Sequence, residues 1–510
     1  MSAEAPAPPA PVPAAWRTAR ARIGANVPDL PCAPVDDPAD PDTVVGEYAL
    51  GSAADVDAAV RAAAAAFPAW AARSAAERAG LMLAAADRLD PLVATAAAVL
   101  VAEVGKVPAE AAVDAGGASG MLRRYAVLHE TADEATVAQD GSVRTILRHR
   151  PVGPVAVIMP WNSPVYLAFG ALAPALLTGC PVVVKPPEDA PLALTGMLHA
   201  LADALPVGVV NVVPGRGPEA GQALAGHPQV RAVFFTGGIE TGAQVARAAA
   251  ATITQVMLEL GGNDPALVLE DATVGPQLVR ELVAGAFTGS GQICQNIKRI
   301  YVHRSRHDEL VAGLTALVER LPVGPASEPG VLIAPLTTDA GVRRAEQLVA
   351  SARAAGARVV ESGTVVGDLR RGRFVRPTIV TELPPDHPLV LVEQFCPVLP
   401  VIAVDDDEQA IAEANRTEFG LAASVWSDDV AHAEAVAARV EAGTVFVNVH
   451  RLGASIEAVP YGGVKRSGIG RNHSTWSLRA CTEPHATVTW SDAASTLPGL
   501  ARWPQPERAS

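Results

Sequence analysis

Between Val152 and Gly262 the chain repeats a pattern that few folds can accommodate. Four short runs rich in β-branched residues alternate with Ala- and Leu-rich helical segments. The runs are Val155-Ala156-Val157-Ile158-Met159, Val182-Val183-Val184, Val209-Val210-Asn211-Val212-Val213 and Val230-Arg231-Ala232-Val233-Phe234-Phe235. A strand with one face in water alternates apolar and polar residues. Runs that are apolar throughout belong to strands covered on both faces, as in a parallel sheet with crossover helices. The expected architecture is doubly wound α/β, with ligands at the C-terminal ends of the strands. A second series, Pro265 to Leu269, Val398 to Val404, Ala422 to Trp426 and Gly443 to Val449, predicts a second domain of the same kind.

The chain of 510 residues is long enough for two or three cores. From Asp55 to about Leu100 it reads as helical. Asp55 is placed to cap, and Val56, Val60, Ala63 and Phe67 recur at helix spacing. Ser74 with Glu77 reads as a capping box. Gly141 to Arg150 and Ala486 to Trp490 read as strands of an exposed ribbon, whose open edges suit assembly. Met1 to Ala15, Ala- and Pro-rich, lacks the basic and apolar regions of a signal peptide and reads as a loose arm.

Composition excludes several classes. Forty basic against 54 acidic residues give −14, with no long basic run, which argues against a nucleic-acid groove. Cys32, Cys180, Cys294, Cys396 and Cys481 are odd in number and scattered without a CxxC pair. Neither a disulfide framework nor a metal site fits, and a reducing, cytoplasmic setting is expected. No uncharged run of 18 strongly apolar residues is present to span a membrane.

Cys294 lies in Thr288-Gly289-Ser290-Gly291-Gln292-Ile293-Cys294-Gln295-Asn296, after the helix-like run Gln277 to Phe287. Small, glycine-rich surroundings can expose a thiol to a ligand, although free Cys is often simply buried. The first strand ends in Pro160-Trp161-Asn162-Ser163-Pro164, where Asn162 is either an amide donor for an anionic oxygen or a turn residue between prolines. The second ends in Lys185-Pro186-Pro187-Glu188, a ribose grip or a solvated charge pair. Pro214-Gly215-Arg216-Gly217 with Gly221 is one residue out of register for the dinucleotide fingerprint. Gly237-Gly238-Ile239-Glu240-Thr241-Gly242 is the better phosphate candidate, with a tight βα turn as the plainer reading. Glu259, alone in the apolar run before Leu260-Gly261-Gly262, is either a buried general base or a strand-end carboxylate in water.

Taken in order, Asn162, Lys185/Glu188, the Gly237–Gly242 turn, Glu259-Leu260-Gly261-Gly262, Gly291-Gln292-Ile293-Cys294 and Glu393-Gln394-Phe395 resemble the NAD(P)-dependent aldehyde dehydrogenase superfamily of the hydrolytic type. Glu103-Val104-Gly105-Lys106, Phe419-Gly420-Leu421-Ala422 and Pro460-Tyr461-Gly462-Gly463 to Gly468 add support, and the resemblance runs from about Pro38 to about Val488. It implies two Rossmann-like domains and a β ribbon. The cofactor domain would take 38–130 and 151–260, the catalytic domain 261–476, and the ribbon 131–150 and 477–497, after a loose arm at 1–37.

By this resemblance Cys294 is the nucleophile, Asn162 with the Cys294 N–H holds the oxyanion, and Glu259 activates the hydrolytic water. Trp161, Lys185, Glu188, Gly237, Gly238, Gly242, Leu260, Glu393 and Phe395 would hold NAD, favoured over NADP because Glu188 repels a 2′-phosphate. Ser163, Tyr461 and Arg451 would meet the aldehyde, with His450 and Glu457 from the same loop as further candidates; for His450, Arg451 and Glu457 a loop charge facing solvent is the plainer reading. Departures from the family pattern are Gly238, Cys396, Ser163, Gly170 and Asn472. The alternatives are a CoA-acylating semialdehyde dehydrogenase, against which Glu259 speaks, and a non-catalytic relative. A homodimer or homotetramer is implied.

Overall fold

The computed structural model describes residues 12–133, 135–140, 143–451 and 459–490. Two largely parallel sheets dominate, as the two series of apolar runs predict. The first has six strands in the order Gly468–Ile469, Gln255–Glu259, Ala232–Thr236, Val155–Ile158, Val182–Lys185, Val210–Val212. All its neighbours are parallel except the short Gly468–Ile469 strand, which runs antiparallel to Gln255–Glu259. The chain enters at Val155–Ile158, builds outward through 182–185 and 210–212, then returns to the other side of its first strand. That reversal is the point where a crevice opens at the strand C-terminal ends.

The second sheet has seven strands, ordered Arg358–Glu361, Thr378–Thr381, Val398–Val404, Ile297–His303, Asp264–Val268, Ala422–Trp426, Thr444–Val447. Only Arg358–Glu361 runs antiparallel to its neighbour. Gln255–Glu259 and Ile297–His303 are strands that the apolar-run criterion passes over. The second carries Lys298 and Arg299, both buried, in its first turn of sequence.

Smaller elements differ in detail from the sequence reading. Helix Ala53–Ala71 is capped by Ser52; Asp55, expected as the cap, is the third helical residue and completes the capping box from inside. Helix Ala75–Leu89 has the expected Ser74/Glu77 box. The arm expected to be loose through residue 37 is ordered over much of its length. Thr18–Ala19 pairs parallel with Asp40–Ala49, and Cys32–Asp37 pairs with the same strand antiparallel. Ala135–Asp140, Val143–Pro151 and Thr482–Trp490 form an antiparallel three-stranded ribbon with exposed outer strands. Among the described residues no helix is long and apolar enough to cross a membrane.

Ser74 Oγ accepts the Glu77 N–H at 3.2 Å and the Glu77 carboxylate accepts the Ser74 N–H at 2.8 Å. Ser74→Ala is therefore expected to lose about 1 kcal/mol in a urea titration, with the m-value unchanged.

Candidate active site

Three successive residues with left-handed backbone build the turn that presents Cys294. Gly289, Ser290 and Gly291 have φ of 63°, 55° and 77°. Ser290, the one with a side chain to strain, is locked by Ala334: its Oγ donates to the Ala334 carbonyl and accepts the Ala334 N–H, both at 2.9 Å. The Gly289 N–H donates to Glu110 Oε1 at 2.8 Å. At Gly291 a Cβ would lie 2.5 Å from the backbone of Cys396, so both φ and space require glycine. The turn delivers Cys294 half-buried between two cavities, both of which it lines.

The larger cavity, about 780 Å³, opens at the C-terminal edge of the six-stranded sheet. Trp161, Asn162, Lys185, Glu188, Gly237, Gly238, Leu260, Glu393 and Phe395 all line it, nine of the residues marked from sequence. The helix Ile239–Ala250 begins there with Gly238 as its cap, and a Cβ on Gly238 would meet nothing within 4 Å. An open helix N-terminus of this kind suits a phosphate. Gly237 contributes space rather than a donor, because its N–H already donates to the Glu259 carbonyl at 3.0 Å. Gly242 does not line the cavity: it lies one turn into the helix, where a Cβ would collide with Leu260. Its place is helix packing, a correction to its assignment as a ligand contact.

Lys185 is buried, donates to the Pro186 carbonyl at 2.9 Å, and burial holds its pKa down to about 8. The Gly217 N–H donates to Glu188 Oε1, so the out-of-register glycine run positions the acid instead of forming the phosphate turn. Glu393 accepts the Gly262 N–H at 3.2 Å, and burial raises its pKa against the pull of Lys298. Phe395, at φ 53°, meets Trp161 edge to face at 5.7 Å. Glu188 beside Lys185, the open helix start and the buried Glu393 carboxylate fit a dinucleotide lying along this edge.

The smaller cavity, about 140 Å³, lies on the other side of the sulfur. Asn162, Ser163, Glu259, Cys294 and Tyr461 line it together with Met121, Arg124, Tyr166, Leu167, Gly170, Met257 and Ile293. Burial pushes the Cys294 thiol up to about 12, and Lys298 pulls against it. Glu259 is buried rather than in water, and neither carboxylate oxygen has a hydrogen-bond partner among the described residues. Burial raises its pKa well above the carboxylate range, with partial relief from Arg471. Asn162 Nδ2 donates one hydrogen to the Gln292 carbonyl at 2.9 Å. The Cys294 N–H finds no acceptor among the described residues. Two amide donors beside one thiol can hold an oxygen that gains negative charge.

Substrate contact fails for two residues of the loop, and at Arg451 the plainer reading of a solvent-facing charge holds instead. Arg451 does not reach the channel; it is exposed and stands 3.8 Å from Glu281. His450 is neither a substrate contact nor a loop charge in water, being fully buried between Ser424 and Gln295. Glu457 lies outside the described residues. Ser163 accepts from Lys106 at 3.0 Å, and Lys106 pairs with Asp114 at 2.7 Å. Met121, Arg124, Tyr166 and Leu167 were missed in sequence. The signal was present as helical spacing, with 163, 166, 167 and 170 sharing one face after Asn162 and 121 and 124 one turn apart on Pro108–Ala126.

The aldehyde dehydrogenase family model matches residues 29–487. The chain is 36% identical over 452 residues to aldehyde dehydrogenase tropH of Talaromyces stipitatus, covering 86% of each protein. It is 34% identical to the peroxisomal aminoaldehyde dehydrogenase 2 of Pisum sativum, over 87% of this chain and 90% of that one. Among solved structures, a mutant of aldehyde dehydrogenase C from Pseudomonas syringae in complex with NAD+ and octanal superposes with a TM-score of 0.88. It is 32% identical, over 95% of this chain and 99% of that one.

Gly291→Ala combines a left-handed φ with a backbone collision, and a cost of about 2–4 kcal/mol is expected in thermal melts.

Proposed function

The chain belongs to the aldehyde dehydrogenase family, and we propose that it oxidises an aldehyde to a carboxylic acid through a thioester on Cys294, with NAD as the hydride acceptor. The observation that carries this reading is the placing of one thiol at the meeting of two cavities, a larger cleft and a smaller, mostly apolar channel that holds Glu259.

The residues divide the work by position. The Cys294 sulfur attacks the carbonyl carbon of an aldehyde lying in the channel. Asn162 Nδ2 and the Cys294 N–H hold the oxyanion, which develops in a water-poor site where such donors act strongly. NAD, when bound along the cleft, supplies the acceptor for the hydride that leaves the thiohemiacetal carbon. Lys185 and Glu188 would hold its adenosine ribose, the start of helix Ile239–Ala250 its pyrophosphate, and Glu393 and Phe395 its nicotinamide end. A carboxylate at 188 disfavours a 2′-phosphate, so NAD is used in preference to NADP. Glu259 then takes a proton from water as that water attacks the thioester, and the acid departs. A raised pKa suits this step, because a carboxylate made more basic by burial takes the proton from water more readily. The channel is lined by Met121, Leu167, Met257 and Ile293, and Gly170 and Ser163 leave room beside Tyr166, which fits an aldehyde with an apolar body.

Purified enzyme with NAD and a panel of aldehydes is expected to give NADH absorbance, and Cys294→Ala to abolish it; undiminished growth in that variant overturns the nucleophile. Glu259→Gln is expected to keep the first NADH burst and lose steady turnover by about 10²-fold or more. Because the base works ionised and its pKa is raised, the wild-type steady rate should fall as pH drops through that raised value. A wild-type steady rate with no such fall toward acid pH, or strict dependence on added CoA, would remove Glu259 from this role.

A further inference from the structure

Lys298 has no part in the reading above, yet it lies directly behind the catalytic turn. It is the second residue of strand Ile297–His303 and is 1% exposed. Its Nζ donates to three carbonyls of the turn: Ile293 at 2.5 Å, Asn296 at 3.2 Å and Cys294 at 3.3 Å. An ammonium group carries three N–H donors, enough for one to each of these acceptors. A peptide unit is planar and trans, so its C=O and N–H point in opposite directions. With the Ile293 carbonyl turned toward Lys298, the Cys294 N–H of the same unit is turned away from it.

A second anchor holds the next carbonyl. His450 Nε2 donates to the Gln295 carbonyl at 2.8 Å, an acceptor that fixes the tautomer. His450 Nδ1 therefore accepts from Ser424 Oγ at 2.9 Å, and that oxygen accepts Trp426 Nε1–H at 2.9 Å. The Cys294 carbonyl is hemmed from a further side, since a Cβ on Gly262 would lie 2.6 Å from it.

We propose that Lys298 is a positioning residue for the thiol: by drawing the turn's carbonyls behind the sulfur it aims the Cys294 N–H at the reacting oxygen and places a fixed positive charge within reach of the thiolate. This rests on the nucleophile reading of Cys294. The charges around the thiol are unbalanced without Lys298. Glu393, Asp264 and Glu259 all face it and oppose its ionisation, and Tyr461 stands on the channel side. Lys298 is the cation that works the other way. The ammonium itself faces Asp264, Glu393, His450, Cys294 and Cys396, with the Phe395 ring at 5.8 Å. Asp264 is fully buried with neither carboxylate oxygen hydrogen-bonded to a side chain, and Arg299 also faces it.

The test reads the sulfur rather than turnover. Iodoacetamide alkylation is followed across pH at Cys294 by peptide mass mapping, because Cys32 is also exposed. Wild type is compared with Lys298→Met, Lys298→Gln and Asp264→Asn, each first checked by thermal melt and by NAD quenching of tryptophan fluorescence. In the Lys298 variants the alkylation midpoint should rise by about one pH unit or more, leaving about tenfold less thiolate at neutral pH. Their NADH burst should slow by about tenfold or more while KM for the aldehyde stays within about threefold. In Asp264→Asn the midpoint should move down by about half a unit or more, since one opposing charge is gone. A folded Lys298 variant with an unmoved midpoint overturns the proposal, as does an unmoved midpoint in folded Asp264→Asn. Failure of all three to fold would assign Lys298 to folding alone and overturn it too. The alkylation midpoints do not depend on whether Cys294→Ala abolishes oxidation, so the two readings fail separately.

Discussion

On the proposed reading the structure turns on one backbone constraint: the turn that carries the nucleophile must show the Cys294 N–H to the ligand and its carbonyls to the protein. Oxyanion stabilisation needs donors, and a carbonyl facing the same oxygen would cancel them. Around Cys294 the separation is carried through. The carbonyls of Ile293, Cys294, Gln295 and Asn296 are all held from behind, by Lys298 and His450. The left-handed run Gly289 to Gly291 is what lets the chain reverse sharply enough to do this directly after helix Pro276–Phe287. The price of that geometry is strain at Ser290, offset by its paired hydrogen bonds to Ala334.

The same constraint explains how the two sheets are joined. Glu259 ends a strand of the first sheet, and Asp264 opens a strand of the second, so Leu260 to Asn263 is a direct four-residue connection between them. That connection is clamped by Ser467, whose carbonyl accepts the Leu260 N–H at 2.9 Å and whose Oγ donates to the Gly261 carbonyl at 2.7 Å. Ser467 Oγ also accepts the Gly420 N–H at 2.9 Å, from the segment leading into strand Ala422–Trp426. The chain then continues into Gly468–Ile469, which closes the edge of the first sheet. Glu259 and Cys294 thus belong to different sheets yet face one channel, because the segment that links the sheets is pinned at both ends.

How much of this was legible in the sequence follows from where each signal resides. Apolar runs announce strands buried on both faces, and Val155–Ile158, Val182–Lys185, Val398–Val404 and Ala422–Trp426 lie where those runs are. Ile297–His303 was illegible for the same reason that it matters: Lys298 and Arg299 are charges in a central strand, satisfied by carbonyls that no local pattern reveals. Arg299 reaches the carbonyl of Ala414, more than a hundred residues away. The loop residue His450 looked like a surface group because its two partners, Ser424 and the Gln295 carbonyl, are also distant in sequence. Gly242 was misassigned because a glycine near a phosphate turn and a glycine under a packed Leu look alike in a string of letters. Pattern recognition marked groups that line the larger cavity, and missed the groups that hold them in place.

The buried carboxylates give the channel an internal order of events. Glu259 is one of the charges that oppose ionisation of Cys294, and the opposition is mutual. While the sulfur is a thiolate, a neutral Glu259 is the less costly neighbour in a site from which water is largely removed. Once the sulfur is acylated that like charge is gone, and burial alone is left to oppose ionisation of Glu259. On the proposed reading, the base therefore becomes more available when a thioester exists for it to act on, and less so before. Asn472 and Arg471 both pull the Glu259 carboxyl toward its ionised form, against burial, and so support the base at that stage. Two groups that would each be poorly ionised alone are in this way set to ionise in turn.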